Sequence, residues 1–320
     1  MPGTKPAVNQ FRIIVPVRNG GGRWREAAAA LRASLSAPGL VVVVDSASTD
    51  GSDQVAVESG FHLQRIDPAT FNHGRTRQMA VDRFCQGCEF VVFLTQDAVL
   101  EGPESLVALL AAFADPTVGA AYGRQVPHRK ARPFEAHMVL FNYGPVSGTR
   151  SLADAARLGI KAAYISNSFG AYRLSAFREC GGFPGHLILG EDTYVAVRML
   201  LAQWKVSYCA EARVRHSHDY PLLQEAQRYF DFGVLHAQLP ELMNHFGSAE
   251  GEGARFVASE LRFMAANAPR LLAQVAVRNA TKYLTYRLGR MFARLPRRLC
   301  RSLSMTKVFW EQERARSAPG

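Results

Sequence analysis

The run VVVVDSASTDGS, residues 41–52, constrains the fold more than any other part of this 320-residue chain. Four consecutive β-branched residues make a stiff, extended segment without a polar face. That suits a central parallel strand covered on both sides. The run ends at Asp45 and opens into Ser, Thr, Asp and Gly, the residues that turns favour. In open α/β sheets, ligands sit at the carboxyl ends of such strands, so Asp45 is a hydrogen-bond acceptor aimed at a ligand. Alone it identifies no chemistry.

The pattern around it predicts a layered α/β architecture. Strands are expected over residues 11–17, 41–44, 61–66, 90–94 and 118–122, and helices over 24–35, 53–59, 75–84 and 103–113. That alternation implies right-handed βαβ units and a mostly parallel sheet flanked by helices. Residues 123–170, with Pro127, Pro133 and Pro145, read as a loop-rich insertion. A helix over 193–204 is introduced by Glu191 and Asp192, whose charges favour a helix start. Short strands over 206–210 and 212–215 end at His216-Ser217-His218. After Pro221 the chain reads as helical, interrupted around 247–253 and at Pro296. The expected division is an α/β unit over residues 1–240 and a basic helical extension over 241–320.

Charge is unevenly placed. The formal net charge is +11, and residues 270–320 hold twelve Lys/Arg against two Glu, so the rest of the chain is nearly neutral. Leu284, Leu288, Met291, Leu295 and Leu299 recur at helical spacing among Arg287, Arg290, Arg294, Arg298 and Arg301, a basic amphipathic helix kinked at Pro296. Such a face suits an anionic membrane surface, or equally packing on the α/β unit with its charges solvated. Nucleic-acid binding is not expected, because no recognised motif or stacking platform accompanies the charge. No apolar stretch is long enough to span a membrane, and the N-terminus lacks the pattern of a secretory signal. Cytoplasmic residence is the default expectation. Among the five cysteines, Cys85 and Cys88 form a CxxC without a second Cys/His pair, which reads as packing rather than as metal or redox chemistry.

Asp45, Asp97, Glu191/Asp192 and His216/His218 each fall at or just past the end of an expected element. Singly, each is a capping acid or a satisfied histidine. If the strand ends share one edge they converge on a single crevice, where Asp97 and a histidine suit a divalent cation, Mn²⁺ or Mg²⁺. Together they describe a metal–diphosphate site beside a carboxylate base.

Those residues lie in segments that carry a family likeness. IIVPVRN (residues 13–19), VDSASTDGS (44–52), FLTQDAVL (93–100), SNSFGAYRLSAFRECGGFP (166–184) and GED (190–192) resemble family 2 glycosyltransferases of the GT-A fold, in spacing and order, over roughly residues 11–240. TFNHGRTRQMA (70–80), TQDA and HSHDY (216–220) are similar to bacterial rhamnosyltransferases of O-antigen and capsule assembly.

The resemblance implies roles. Asp45 matches the acceptor for the nucleotide base, and a carboxylate pairs with the ring N–H that uracil and thymine share. Asp97 matches the last acid of the family's DxD motif and ligates the metal; Thr95 stands where the first acid is expected, which puts more weight on His216. Arg75 and Arg77 match a segment suited to phosphate oxygens, with His73 shaping the sugar pocket. Pro16, Asp50 and Gln96 complete the donor-binding set. Asp192, or its neighbour Glu191, is the general base. The implied activity is inverting transfer, most simply of L-rhamnose from dTDP-L-rhamnose to a glycan or lipid-linked glycan acceptor. A UDP-hexose donor, and a scaffold that binds a nucleotide sugar without turnover, are the alternatives.

Overall fold

The computed structural model describes residues 10–247 and 250–316. The valine run forms β2 (Val41–Asp45), buried at every position. Val42 and Val44 enter one core, Val41 and Val43 the other. Each fully buried valine contributes about 1.5–3 kcal/mol relative to exposure, so this strand anchors both layers. β1 (Phe11–Val17) pairs with it in parallel, Ile13 opposite Val41 and Val17 opposite Asp45. α1 (Gly21–Ala33) makes that crossover, and α2 (Ser52–Glu58) leads on to β3 (His62–Arg65) at the sheet edge. α3 (His73–Phe84) then returns the chain to β4 (Phe90–Leu94), parallel to β1 on its other side.

Next along the chain are β5 (Val99–Leu100), α4 (Glu104–Ala111), β6 (Val118–Val126), α5 (Pro133–Asn142), β7 (Gly148–Arg150) and the short α6 (Ala155–Leu158). β8 (Phe169–Arg173), α7 (Leu174–Glu179), α8 (Glu191–Leu201) and β9 (Lys205–Arg215) complete the α/β portion. The strand order is β3-β2-β1-β4-β8-β6-β9-β5, with β7 paired to β9. β8 lies antiparallel between β4 and β6, while β6 and β9 pair in parallel. Six of the nine strands therefore point one way, and β5, β7 and β8 are reversed. The GT-A type α/β class is the one expected; the sheet is more mixed in its pairing than unbroken βαβ repetition implies. Its functional edge carries the carboxyl ends of β1, β2, β4, β6 and β9 and the amino end of β8.

Two local expectations are corrected. Residues 123–170 are not mainly loop: they hold the end of β6, α5, β7, α6 and the start of β8. Pro133, read as a loop residue, is the first residue of α5, where its missing N–H costs nothing and Glu135 accepts from the Arg132 N–H at 3.0 Å. The strands expected over 206–210 and 212–215 are one strand. Its register against β6 jumps from Gly123–Cys209 to Arg124–Arg213, so the intervening residues bulge out. Gly123 permits the bulge: a Cβ there would stand 2.5 Å from the Ala212 carbonyl oxygen. The cysteines behave as packing residues, all five free and buried, with burial pushing the Cys85 thiol up to about 12.

The C-terminal helices are α9 (Leu222–Gln238), α10 (Pro240–Phe246), α11 (Glu250–Asn267), α12 (Leu272–Arg290), α13 (Arg297–Leu303) and α14 (Lys307–Arg316). They pack onto the α/β layers. Buried Asp231 of α9 accepts from the Met305 N–H at 3.0 Å, Phe309 and Trp310 enter the core, and Gln312 reaches the Ala69 carbonyl at 2.9 Å. None of the helices among the described residues is long and apolar enough to cross a membrane.

α12 lies backbone to backbone on α9 through Gly233 and Gly289. A Cβ at Gly289 would fall 2.0 Å from the Phe230 carbonyl oxygen. On propensity alone, Gly289→Ala stabilises a helix by about 1 kcal/mol. Here the clash reverses the sign, and a net loss of about 1–3 kcal/mol is expected in urea denaturation. A midpoint that rises with Gly289→Ala would mean that the helices do not touch.

Candidate active site

The turns leaving β1 and β2 are laced together. Ser46 N–H donates to the Val17 carbonyl at 2.9 Å, Asn19 Oδ1 accepts from Thr49 N–H at 2.8 Å, and Ser48 Oγ accepts from Asn19 N–H at 2.9 Å. Asp45, 1% exposed, accepts from the backbone and hydroxyl of Ser48. Asp50 accepts from Gly21 N–H at 2.8 Å and Ser52 N–H at 3.0 Å, and the Ser52 hydroxyl is the main reason its carboxyl lies below the usual range. Gln96 clasps β1 to the exit of β4, accepting from Arg18 N–H at 2.7 Å. Pro16 is half-buried in β1 opposite Val44. Of the expected donor contacts, Asp45, Asp50 and Gln96 thus spend polar atoms on bracing the edge itself.

At the next strand ends three side chains meet. Asp97 Oδ1 lies 3.4 Å from His216 Nε2, and Oδ2 lies 3.5 Å from His218 Nε2. One ligand atom from each falls within 4.8 Å of the others. The local cause is extended backbone after β9, where residues two apart share a side; His216 N–H still pairs with the Val126 carbonyl at 3.0 Å. The HSH spacing carried that signal for His218, which the sequence reading passed over for His216.

Gln125 of β6 sets the histidine's tautomer. Its amide NH₂ donates to Tyr143 Oη at 2.6 Å and Ser166 Oγ at 3.0 Å, so its carbonyl faces His216 Nδ1 at 2.8 Å. Nδ1 is thereby the donor to Gln125, and Nε2 is the ring atom that faces Asp97. Burial opposes the charge of Asp97, but the His216 contact and charge, followed by His218, outweigh it and hold the carboxyl well below the usual range. His218 keeps an edge open to the cleft, yet burial first, then His216, push its imidazole down. The Asp97 carboxylate, with one oxygen near each imidazole, suits a shared divalent cation, whose ligands bound at about 2.1 Å lie about 3–3.5 Å apart.

The acid pair sits at the first turn of α8, behind Gly190 in the left-handed region at φ 77°. Glu191 is buried, 3.1 Å from Arg77 Nη1, and accepts from Asn167 Nδ2 at 2.9 Å. Burial works against its charge, but Arg77 outweighs it, so Glu191 stays ionised. Asp192 accepts from Asn167 N–H at 3.2 Å and Thr193 N–H at 2.7 Å. Burial, then the charge of Glu191, raises it to about 6. Environment has split two adjacent acids into a fixed anion and a titratable group.

α3 does not present both arginines together. Residues two apart on a helix face different ways. Arg77 turns inward to Glu191, whereas Arg75 is exposed and reaches the Gly185 carbonyl at 3.4 Å. His73, with Arg77 Nη1 3.4 Å from its Nδ1, is pushed down to about 4, chiefly by burial. Beside the histidine pair opens a cavity of about 380 Å³, walled by α5, α9, the 216–220 segment and Arg278 of α12. Tyr164, Tyr220, Tyr229 and Phe232 give it aromatic faces.

The chain is 44% identical over 301 residues to the O-antigen chain rhamnosyltransferase WbaN of Salmonella anatum, covering 94% of this chain and 95% of that protein. The O-antigen chain rhamnosyltransferase RfbN of Salmonella typhimurium is 42% identical, with 94% and 96% covered. Among solved structures, the mannosyltransferase PcManGT of Pyrobaculum calidifontis, in complex with GDP-Man and Mn²⁺, superposes with TM-score 0.54 at 17% identity over 97% of this chain and 88% of that one. S. aureus TarS 1–349 with UDP-GlcNAc gives 0.51 at 16% identity, covering 89% of this chain and 91% of that one. No protein-family model matches the chain.

Mn²⁺ titration checks the donor set. Asp97→Asn and His218→Ala are each expected to weaken binding, and Gln125→Leu, which touches no metal, to weaken it about 10–100-fold by freeing the His216 ring. Unchanged affinity in His218→Ala would leave that histidine outside the site.

Proposed function

The chain belongs to the O-antigen chain rhamnosyltransferases, family 2 glycosyltransferases of the GT-A fold, and from that premise we propose that it transfers L-rhamnose from dTDP-L-rhamnose to a growing O-antigen or capsule acceptor, inverting the anomeric carbon. The observation that carries the chemistry is the split acid pair. A base must be ionised yet able to hold a proton near neutral pH. Asp192, raised to about 6, meets both needs, whereas Glu191 is neutralised by Arg77 and stays an anion. Asp192 takes the proton of the acceptor hydroxyl as its oxygen attacks the anomeric carbon, and the bond to the diphosphate breaks on the opposite face.

Asp97, His216 and His218 would hold a divalent cation, which would neutralise charge on the donor diphosphate. Two nitrogen ligands favour Mn²⁺ over Mg²⁺, which prefers oxygen. Ser48 uses two of the roughly four acceptor positions of Asp45; the remaining ones are kept for the ring N–H of the base. His73, neutral and beside Arg77, is the residue we assign to the sugar pocket.

We also assign a membrane-facing role to the extension over 241–320. Leu284, Leu288 and Met291 are 62%, 40% and 44% exposed on α12 and just past its end, and Arg287, Arg294, Arg297 and Arg298 are exposed around them. Leu295, by contrast, packs inward. Apolar side chains ringed by arginines suit an anionic bilayer, at about 1 kcal/mol per basic residue near the surface. A peripheral position on the cytoplasmic membrane follows.

Asp192→Asn should abolish turnover of dTDP-L-rhamnose while donor binding persists. In the wild type, kcat/KM should fall tenfold per unit below about pH 6, because the base is then protonated. Glu191→Gln removes the neighbouring anion, so that limb moves to lower pH. Turnover surviving in Asp192→Asn would sink the assignment, preference for a UDP-hexose would replace the donor, and binding without turnover in the wild type would favour the scaffold alternative.

For the membrane face, Leu284→Glu/Leu288→Glu should reduce sedimentation with anionic vesicles and leave turnover of a soluble acceptor intact. Point changes serve better than truncation, since Phe309 and Trp310 belong to the core. Equal sedimentation would refute the proposal.

A further inference from the structure

Arg228, in the second turn of α9, is a half-buried cation without a counter-ion among the described residues. Its guanidinium carbon lies 5.0 Å from the Phe232 ring centroid and 5.6 Å from that of Tyr220. Tyr220 stacks in turn on His218, with ring centroids 5.1 Å apart. Among the described residues no carboxylate pairs with Arg228, because the acids around the cavity are committed elsewhere. Glu225 takes Arg278 at 3.0 Å and Lys282 at 3.1 Å, Asp219 takes Arg132 at 2.7 Å, and Glu252 takes Lys161. Glu135 accepts from Ser217 and from the Arg132 backbone.

Arg228 lines the same cavity as His216 and His218. A guanidinium set against two aromatic rings is pre-organised at little entropic cost. Left partly desolvated without an anion it is costly, so a cleft that keeps one is shaped for a ligand that brings the negative charge. Of the two arginines expected at phosphate from the sequence, Arg77 is paired to Glu191 and Arg75 is exposed, and neither lines this cavity.

We propose that Arg228 binds the diphosphate of the donor across from the Asp97–His216–His218 cluster and carries the charge that develops on the leaving group. The proposal rests on the transferase reading above. As the acceptor oxygen bonds to the anomeric carbon, its proton passes to Asp192 and the bond from that carbon to the phosphate oxygen breaks. The electron pair stays on the phosphate oxygen, to which Arg228 donates.

The test is calorimetric binding of dTDP, thymidine and inorganic pyrophosphate, each with Mn²⁺, to the wild type, Arg228→Ala and Arg228→Lys, followed by kcat and KM for donor and acceptor. Arg228→Ala should lose about tenfold or more in dTDP and pyrophosphate affinity and leave thymidine affinity unchanged, as expected for charge-assisted hydrogen bonds to phosphate. Arg228→Lys should recover part of the loss and kcat should fall in both. Unchanged diphosphate affinity overturns the proposal. So does a parallel loss of thymidine binding, which makes Arg228 a packing residue between its rings, or a rise confined to the acceptor KM, which moves its anion to the acceptor. Pyrophosphate binding that depends on Arg228 in a protein indifferent to dTDP would sustain Arg228 and reject the nucleotide reading.

Discussion

A buried ion pair, Arg77 with Glu191 at 3.1 Å, governs the chemistry of the site. Removing one partner of such a pair costs about 3–5 kcal/mol, because the other is stranded out of water. The pair therefore clamps the start of α3 to the start of α8. Gly74 lets the two come close, since a Cβ there would stand 2.0 Å from the Pro184 carbonyl oxygen. Asn167 extends the clamp, donating to Glu191 and accepting from Tyr172 Oη at 2.9 Å. With Glu191 held as an anion, the acid beside it is driven toward protonation. One contact thus assigns different properties to neighbouring carboxylates.

The sheet does the remaining positioning. Asp97 follows β4, Gln125 lies near the end of β6, and His216 follows β9. These strands are dispersed in sequence but share a direction, so their exits share an edge. Insertion of β8 in reverse brings Ser166 and Asn167 to that edge by their amino end, which is how a hydrogen-bond acceptor for Gln125 and a donor for Glu191 arrive from one turn. A strictly parallel sheet would place them at the far side.

The C-terminal helices are part of the cavity as well as an appendage to it. Arg278 and Lys282 of α12 converge on Glu225 of α9, and Lys282 also lies 3.7 Å from Glu260 of α11. This buried network ties three helices behind the cavity wall and consumes Glu225, one helical turn before Arg228. The opposite face of α12 presents exposed Leu284, Leu288 and Arg287. The same helix thereby serves the site from one side and presents an amphipathic surface on the other.

Much of this was legible in sequence, and the reasons are local. The β-branched run of β2 leaves no fold but a doubly covered strand, and the apolar strands ending in acids mark the functional edge. Asp97 and His216 stand out because each sits where a strand stops, and Glu191 and Asp192 because they stand where a helix starts. Asp45, Asp50 and Gln96 were equally visible, but their use in bracing the turns depends on which loop lies opposite. His218 and the helix beginning at Pro133 had signals, two-residue periodicity and proline at a first helical position, that competed with stronger priors for a single ligand and a loop.

What the sequence by itself determined is therefore the class of fold, the family, and the residue types gathered at one sheet edge, because strand composition and turn chemistry act over a few neighbours. Tertiary structure alone decided which arginine is spent on Glu191 and which faces the cavity. It also decided which of two adjacent acids stays charged and which nitrogen of His216 faces Asp97. Those outcomes depend on desolvation and on partners tens to hundreds of residues away, and no local pattern encodes either.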